Sequence, residues 1–101
     1  MRILVFFDLP SVTSKEKKEY RAFRKFLIKE GFLMLQQSVY CKLSLNTTVA
    51  NSVIERVRKN KPKEGLVQAL TITEKQFQSI EYIIGSKETE TIDYDDGVIE
   101  L

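Results

Sequence analysis

The chain begins with a short run that is apolar on both sides. Ile3, Val5 and Phe7 point one way in an extended segment, and Leu4, Phe6 and Asp8 the other. A strand over residues 2–8 therefore turns hydrocarbon to both faces until Asp8, and must be buried on both. Pro10 stops it. The carboxylate at its mouth has to be hydrated, hydrogen-bonded or bound to a cation. Two readings of Asp8 stand side by side. It caps the turn at Leu9-Pro10, as aspartates at turn starts commonly do. Or it holds a hard metal ion beside a phosphate polymer, as the basic segment just downstream suggests.

With 101 residues the chain makes one small domain. Hydrophobic content of 43% and charged content of 30% fit a soluble globular protein. Cys41 is the only cysteine, which excludes an intramolecular disulfide or a multi-cysteine zinc site. A core thiol in a reducing, cytoplasmic setting is the expectation. The apolar run after Arg2 is too short for a secretory signal or a membrane span. Histidine is absent, so catalysis would fall to carboxylates, tyrosine, lysine or a metal-bound water.

Net charge is +2, but it is unevenly spread. Residues 1–63 carry fourteen Lys/Arg and five Asp/Glu, whereas residues 64–101 carry two and nine. A surface facing a polyanion and a separate acidic region follow from that split.

Along the chain, Thr13 and Glu16 form a capping box for a helix running to residue 30, and Gly31 suits its C-terminal stop. Tyr20, Phe23 and Leu27 share one face of it, while Lys18, Arg21, Lys25 and Lys29 line the opposite one. Residues 33–35 read as a short strand, and 36–38 as the break before a longer strand. There Val39, Cys41, Leu43 and Leu45 alternate with Tyr40, Lys42 and Ser44. A second helix covers residues 46–60, its basic end explicable by the helix dipole alone. Residues 66–73 form a fourth strand, 73–77 a short helical turn and 79–84 a fifth strand. Gly85 ends the domain (residues 1–85), and 86–101 form an acidic tail expected to be mobile or ordered by a partner. The order β-α-β-β-α-β plus one strand is an α+β, ferredoxin-like arrangement with helices on one face of the sheet. The apolar open face points to a second copy packed against it as a two-fold homodimer.

Ile3-Leu4-Val5-Phe6-Phe7-Asp8-Leu9-Pro10 resembles the opening strand of the CRISPR-associated Cas-two family. Tyr20-Arg21-Ala22-Phe23-Arg24-Lys25-Phe26-Leu27, Gly31 and Gln37-Ser38-Val39-Tyr40 resemble its helix-to-strand signature. Thr71-Ile72-Thr73-Glu74-Lys75-Gln76-Phe77 is similar to the fourth-strand exit of members from systems with a single large effector nuclease. The resemblance spans about residues 1–85. It implies a ferredoxin-like homodimer acting in spacer acquisition. The dimer sits between dimers of the Cas-one integrase and binds duplex DNA, and phosphodiester cleavage of RNA or DNA is also attributed to the family. The family's metal aspartate falls on Asp8, making it the catalytic residue and the ligand of Mg²⁺ or Mn²⁺. Phe7 stands where relatives often carry tyrosine, so a hydroxyl is missing there. In relatives the end strand often crosses to the other protomer and the tail meets the integrase.

Cleavage would need Asp8 from two protomers around one ion, because a single carboxylate is thin for Mg²⁺. A DNA scaffold needs only cationic surface, for which Lys15, Lys17, Lys18, Arg21, Arg24, Lys25 and Lys29 are the candidates; the plain alternative is a solvated helix face. Ser38 either hydrogen-bonds near Asp8 or simply makes the turn, and Tyr40 reads as a packed strand aromatic. Beside these stand a primarily endoribonuclease or DNase reading and a small regulatory ligand-binding domain of the same fold. The last would present a polar pocket at the dimer interface and no dependence on Lys18 or Arg21.

Overall fold

The computed structural model describes residues 1–86. Seven elements follow one another: β1 (Arg2–Asp8), α1 (Ser14–Glu30), β2 (Leu33–Gln36), β3 (Val39–Leu43), α2 (Thr47–Lys59), β4 (Leu66–Ile72) and α3 (Glu74–Gln78). The four strands make one sheet in the order β2-β3-β1-β4, every neighbouring pair antiparallel. β1 and β2 thus run parallel with β3 between them, the split βαβ arrangement of a ferredoxin-like α+β fold.

The two-faced opening strand takes a central place, paired with β3 from Arg2↔Leu43 to Phe6↔Val39 and with β4 from Arg2↔Ile72 to Asp8↔Leu66. Its Ile3, Val5 and Phe7 face the long helices. They join Phe23 and Leu27 of α1, Ala50, Val53 and Val57 of α2, and Phe32 and Tyr40 in the main core. α1 starts at the expected box: the Thr13 hydroxyl accepts from the Glu16 N–H at 3.1 Å, and Glu16 Oε1 accepts from the Thr13 N–H at 3.0 Å. Val12 N–H also donates to Glu16 Oε1 at 3.0 Å, and the backbone donors of Thr13 and Val12 together hold the Glu16 carboxyl below its ordinary range. Gly31 ends the helix at φ 102°, a left-handed position natural to glycine.

The opposite sheet face is not bare. Leu4 and Cys41 form a second small core with Phe77 of α3, flanked by Phe6, Leu35 and Ile72. α3 is held there by Arg2. The guanidinium lies 4.1 Å from the Phe77 ring centroid and donates to Glu74 through Nε (3.0 Å to Oε2) and Nη2 (2.8 Å to Oε1). The expected helices on one face therefore become two long helices on one face and a short one on the other.

The fifth strand expected over residues 79–84 does not form in the described chain. Ser79 closes α3, and the residues after it lie outside the sheet, with Ile83 85% and Ile84 93% exposed. Alternation specifies a strand only where a neighbour supplies the ladder, and α3 has carried the chain off the β4 edge. β2 also reaches one residue further than expected, to Gln36, through an irregularity between Met34 and Gln36. No helix among the described residues is long and apolar enough to cross a membrane. The expected acidic tail lies, beyond Ser86, outside the described residues.

The Arg2 hydrogen bonds hold Glu74 below the ordinary carboxyl value. Its contribution is complete above that ordinary value and is lost as pH falls through the lowered folded value. Glu74→Gln should lower the urea midpoint at pH 7, and the gap to wild type should close on acidification; a gap unchanged at acid pH contradicts the clasp.

Candidate functional site

Asp8 is the last residue of β1 and lies on the open side of the sheet with Leu4 and Phe6. Its side chain is exposed and makes no hydrogen bond or ion pair with any described residue. A carboxylate capping the Leu9-Pro10 turn would accept a backbone N–H, and this one does not. Two backbone features hold the strand end in place. Phe7 N–H donates to Ser38 O at 3.0 Å, and Ser38 sits at φ 68° in the β2–β3 turn. Ser38 therefore acts through its main chain, in the turn role. On the other side, Gly65 at φ +105° packs so tightly that a Cβ there would lie 2.8 Å from Asp8 O and 2.7 Å from Leu9 Cδ2.

Phe7 points away from Asp8, into an aromatic cluster. Its ring meets Tyr20 (5.9 Å), Phe23 (5.2 Å) and Tyr40 (5.6 Å, nearly parallel). Neighbouring strand residues face opposite ways, so the missing hydroxyl at Phe7 falls on the helix side of the sheet rather than beside Asp8. Tyr40 is buried, and its hydroxyl accepts from Arg24 Nε at 3.0 Å. It is the packed strand aromatic that the sequence reading expects.

All seven candidate cations of α1, Lys15, Lys17, Lys18, Arg21, Arg24, Lys25 and Lys29, are exposed. The fold brings Lys18, Arg21, Arg24 and Lys25 to one shallow groove along the outer side of α1, with Ala22 and Ile28 as its apolar part. Lys15 lines a separate hollow beside Leu9 and Pro10. Lys17 and Lys29 line neither. Arg24 is anchored through Nε to Tyr40, which leaves its terminal nitrogens for the groove. Asp8 and this cation row occupy different sides of the molecule, so the acid and the basic helix adjacent in sequence form two surfaces.

The remaining arginines are engaged. Arg56 donates from Nε and Nη2 to Glu30 at 3.0 Å, Arg58 pairs with Glu55, and Arg2 clasps Glu74. Lys61 donates to Arg58 O at the end of α2, as the dipole reading expects. Of the five arginines, Arg21 and Arg24 alone make no ion pair among the described residues.

Among the described residues no group of three or more His, Cys, Asp or Glu could hold a metal. Asp8 fits a hard cation only as half a site: one free, exposed carboxylate that a second carboxylate and substrate phosphates would have to complete. Gly65 carries no functional signal in the sequence; its closeness to Asp8 becomes visible only when β4 lies against β1. Gly65→Ala should cost more than about 1 kcal/mol in urea unfolding and displace the Asp8 backbone. Wild-type stability in the variant would show that the close approach does not matter.

The family model described as CRISPR associated protein Cas2 matches residues 1–80. Over 101 residues the sequence is 50% identical to a protein of Treponema denticola named CRISPR-associated endoribonuclease Cas2, covering 100% of both chains. A protein of the same name from Streptococcus mutans is 45% identical over 101 residues, 100% of this chain and 93% of the other. Streptococcus pyogenes Cas2, solved at pH 6.5, superposes with a TM-score of 0.61 at 18% identity, over 84% of this chain and 100% of its own, a likeness of fold. These matches run through the Asp8 strand, the aromatic cluster and the α1 cation row alike, and the chain belongs to the CRISPR-associated Cas2 family.

Proposed function

We propose that the protein serves spacer acquisition as a dimeric scaffold that binds duplex DNA for the Cas-one integrase. One observation carries this reading. Arg21 and Arg24 stand with Lys18 and Lys25 in a common groove without a carboxylate partner, while the other three arginines are paired. Unpaired cations along a rigid helix suit a phosphate backbone: they bind by charge, release counterions and read no base. A second copy doubles the row. Leu33, Leu43, Leu66 and Leu70, each more than half exposed on the open side of the sheet or at its edges, give that copy apolar surface to cover.

A metal-dependent nuclease is the second reading, favoured by the unpartnered Asp8 and by the relatives' name, endoribonuclease. Two Asp8 carboxylates meeting across a two-fold axis would hold Mg²⁺ or Mn²⁺. When bound, the ion would offset phosphate charge and activate a water. The chain's own part is to fix the strand end through the Ser38 and Gly65 contacts, so that each carboxylate arrives without a flexible loop beneath it. With no histidine in the chain, proton transfer would fall to carboxylates, tyrosine, lysine or a metal-bound water.

Asp8→Ala should reduce Mg²⁺- or Mn²⁺-dependent cleavage of single-stranded RNA and duplex DNA to background, yet leave duplex binding and acquisition intact. Cleavage equal in both proteins would make Asp8 structural, and loss of acquisition with the fold and integrase binding preserved would contradict the scaffold. Reversing Arg21 and Lys25 to glutamate should weaken duplex binding. It should also flatten the plot of log affinity against log salt by roughly one unit per lost phosphate contact. An unchanged slope would place the DNA elsewhere.

A further inference from the structure

Four cations share the α1 groove, and one of them differs from the rest. Lys18, Arg21 and Lys25 make no side-chain hydrogen bond or ion pair among the described residues. Arg24 donates its Nε–H to the hydroxyl of Tyr40, 16 positions away on β3, at 3.0 Å. Tyr40 is buried, and its ring stacks on Phe7 with centroids 5.6 Å apart. Its backbone lies between Val5 of β1 and Met34 of β2. The hydroxyl is thus a fixed point in the core, and Arg24 is the one groove cation tied to it.

The tie also decides which edge of the guanidinium is free. Arg2 and Arg56 each grip a carboxylate side-on, through Nε and Nη2. In Arg24 the Nε donor is taken, so that grip is closed to it. The end-on pair, Nη1 and Nη2, remains, and its parallel donors match two oxygens of one phosphate group. A hydroxyl oxygen accepts the bond without bringing a negative charge, as a carboxylate would, so the groove keeps the cation. Holding the side chain beforehand also reduces the rotamer freedom that binding would remove.

We propose that Tyr40 is a positioning residue for phosphate capture. Its hydroxyl holds the Arg24 guanidinium so that Nη1 and Nη2 meet a backbone phosphate end-on, while Lys18, Arg21 and Lys25 add charge without a fixed direction. The proposal rests on the duplex-binding reading above, and adds to it a core residue that itself touches no nucleic acid.

Tyr40→Phe removes the hydroxyl and keeps the ring, so a double-mutant cycle with Arg24→Gln in the full-length protein tests the role. Duplex DNA affinity at low salt should fall severalfold in Tyr40→Phe. In the Arg24→Gln background the same substitution should leave affinity unchanged. The slope of log affinity against log salt should stay at the wild-type value in Tyr40→Phe and drop by about one unit in Arg24→Gln, because only the second variant loses a charge. Equal losses in both backgrounds would mean that Tyr40 acts through core stability alone and would overturn the proposal, as would unchanged affinity in Tyr40→Phe. NMR of the wild-type guanidinium groups gives a readout that no variant's folding can obscure. The Arg24 Nε–H should exchange slowly with water and hold its position when duplex is added, while its Nη resonances shift; a fast-exchanging Nε–H would remove the anchor. Failure of the DNA-binding reading would look different: the slow Nε–H would be present and the wild-type protein would bind no duplex, which would also end the phosphate role of Arg24.

Discussion

The fold depends on β1 being buried from both sides. Ile3, Val5 and Phe7 tie the sheet to α1 and α2, while Leu4 and Phe6 form the base of the smaller core under α3. The same strand carries the backbone ladders, to β3 from Arg2 to Phe6 and to β4 from Arg2 to Asp8. A change in β1 register by one residue would exchange the two sets of side chains and strand Asp8 in the aromatic cluster where Phe7 now sits. Position and chemistry are thereby coupled: Asp8 is solvent-facing because Phe7 is not.

Charge is sorted as strictly as hydrocarbon. Cations that join elements are matched. Arg56 and Lys42 both bind the end of α1 at Glu30, the first through its carboxylate and the second through its backbone oxygen, and Arg2 reaches Glu74 across the sheet. Exposed pairs of this kind add little stability individually, so their value lies in fixing where α2 and α3 sit. The cations of α1 are unmatched, and they occur on the one helix whose inner side is most heavily aromatic. A rigid support beneath mobile lysines and arginines limits the ordering cost of binding a charged polymer.

Much of this was legible from local signals. Thr13 with Glu16 and Gly31 each act within a few residues, and the fold honours them; the alternating strand expected from Val39 to Leu45 forms but stops at Leu43, leaving Leu45 exposed. Asp8 was legible as an oddity at the end of an apolar strand, and the cation row of α1 from helical spacing. What was hidden depends on distant partners. Arg2 and Glu74 are 72 positions apart, and nothing in either neighbourhood announces their pairing. Gly65 gained meaning only against Asp8 and Leu9. The run over residues 79–84 finds no neighbouring strand within one chain, because α3 carries it off the β4 edge.

β2 (Leu-Met-Leu-Gln) and β4 (Leu-Val-Gln-Ala-Leu-Thr-Ile) are the two edges of the sheet, and neither contains a charged residue or a proline. Natural sheets usually blunt such borders with lysine, proline or a sharp bulge. Here the longer border, β4, is uncharged, with Leu66 and Leu70 standing out from it. Its unpaired backbone groups form a template on which another strand could pair. Any second chain that covered that border would at the same time remove the template from solvent.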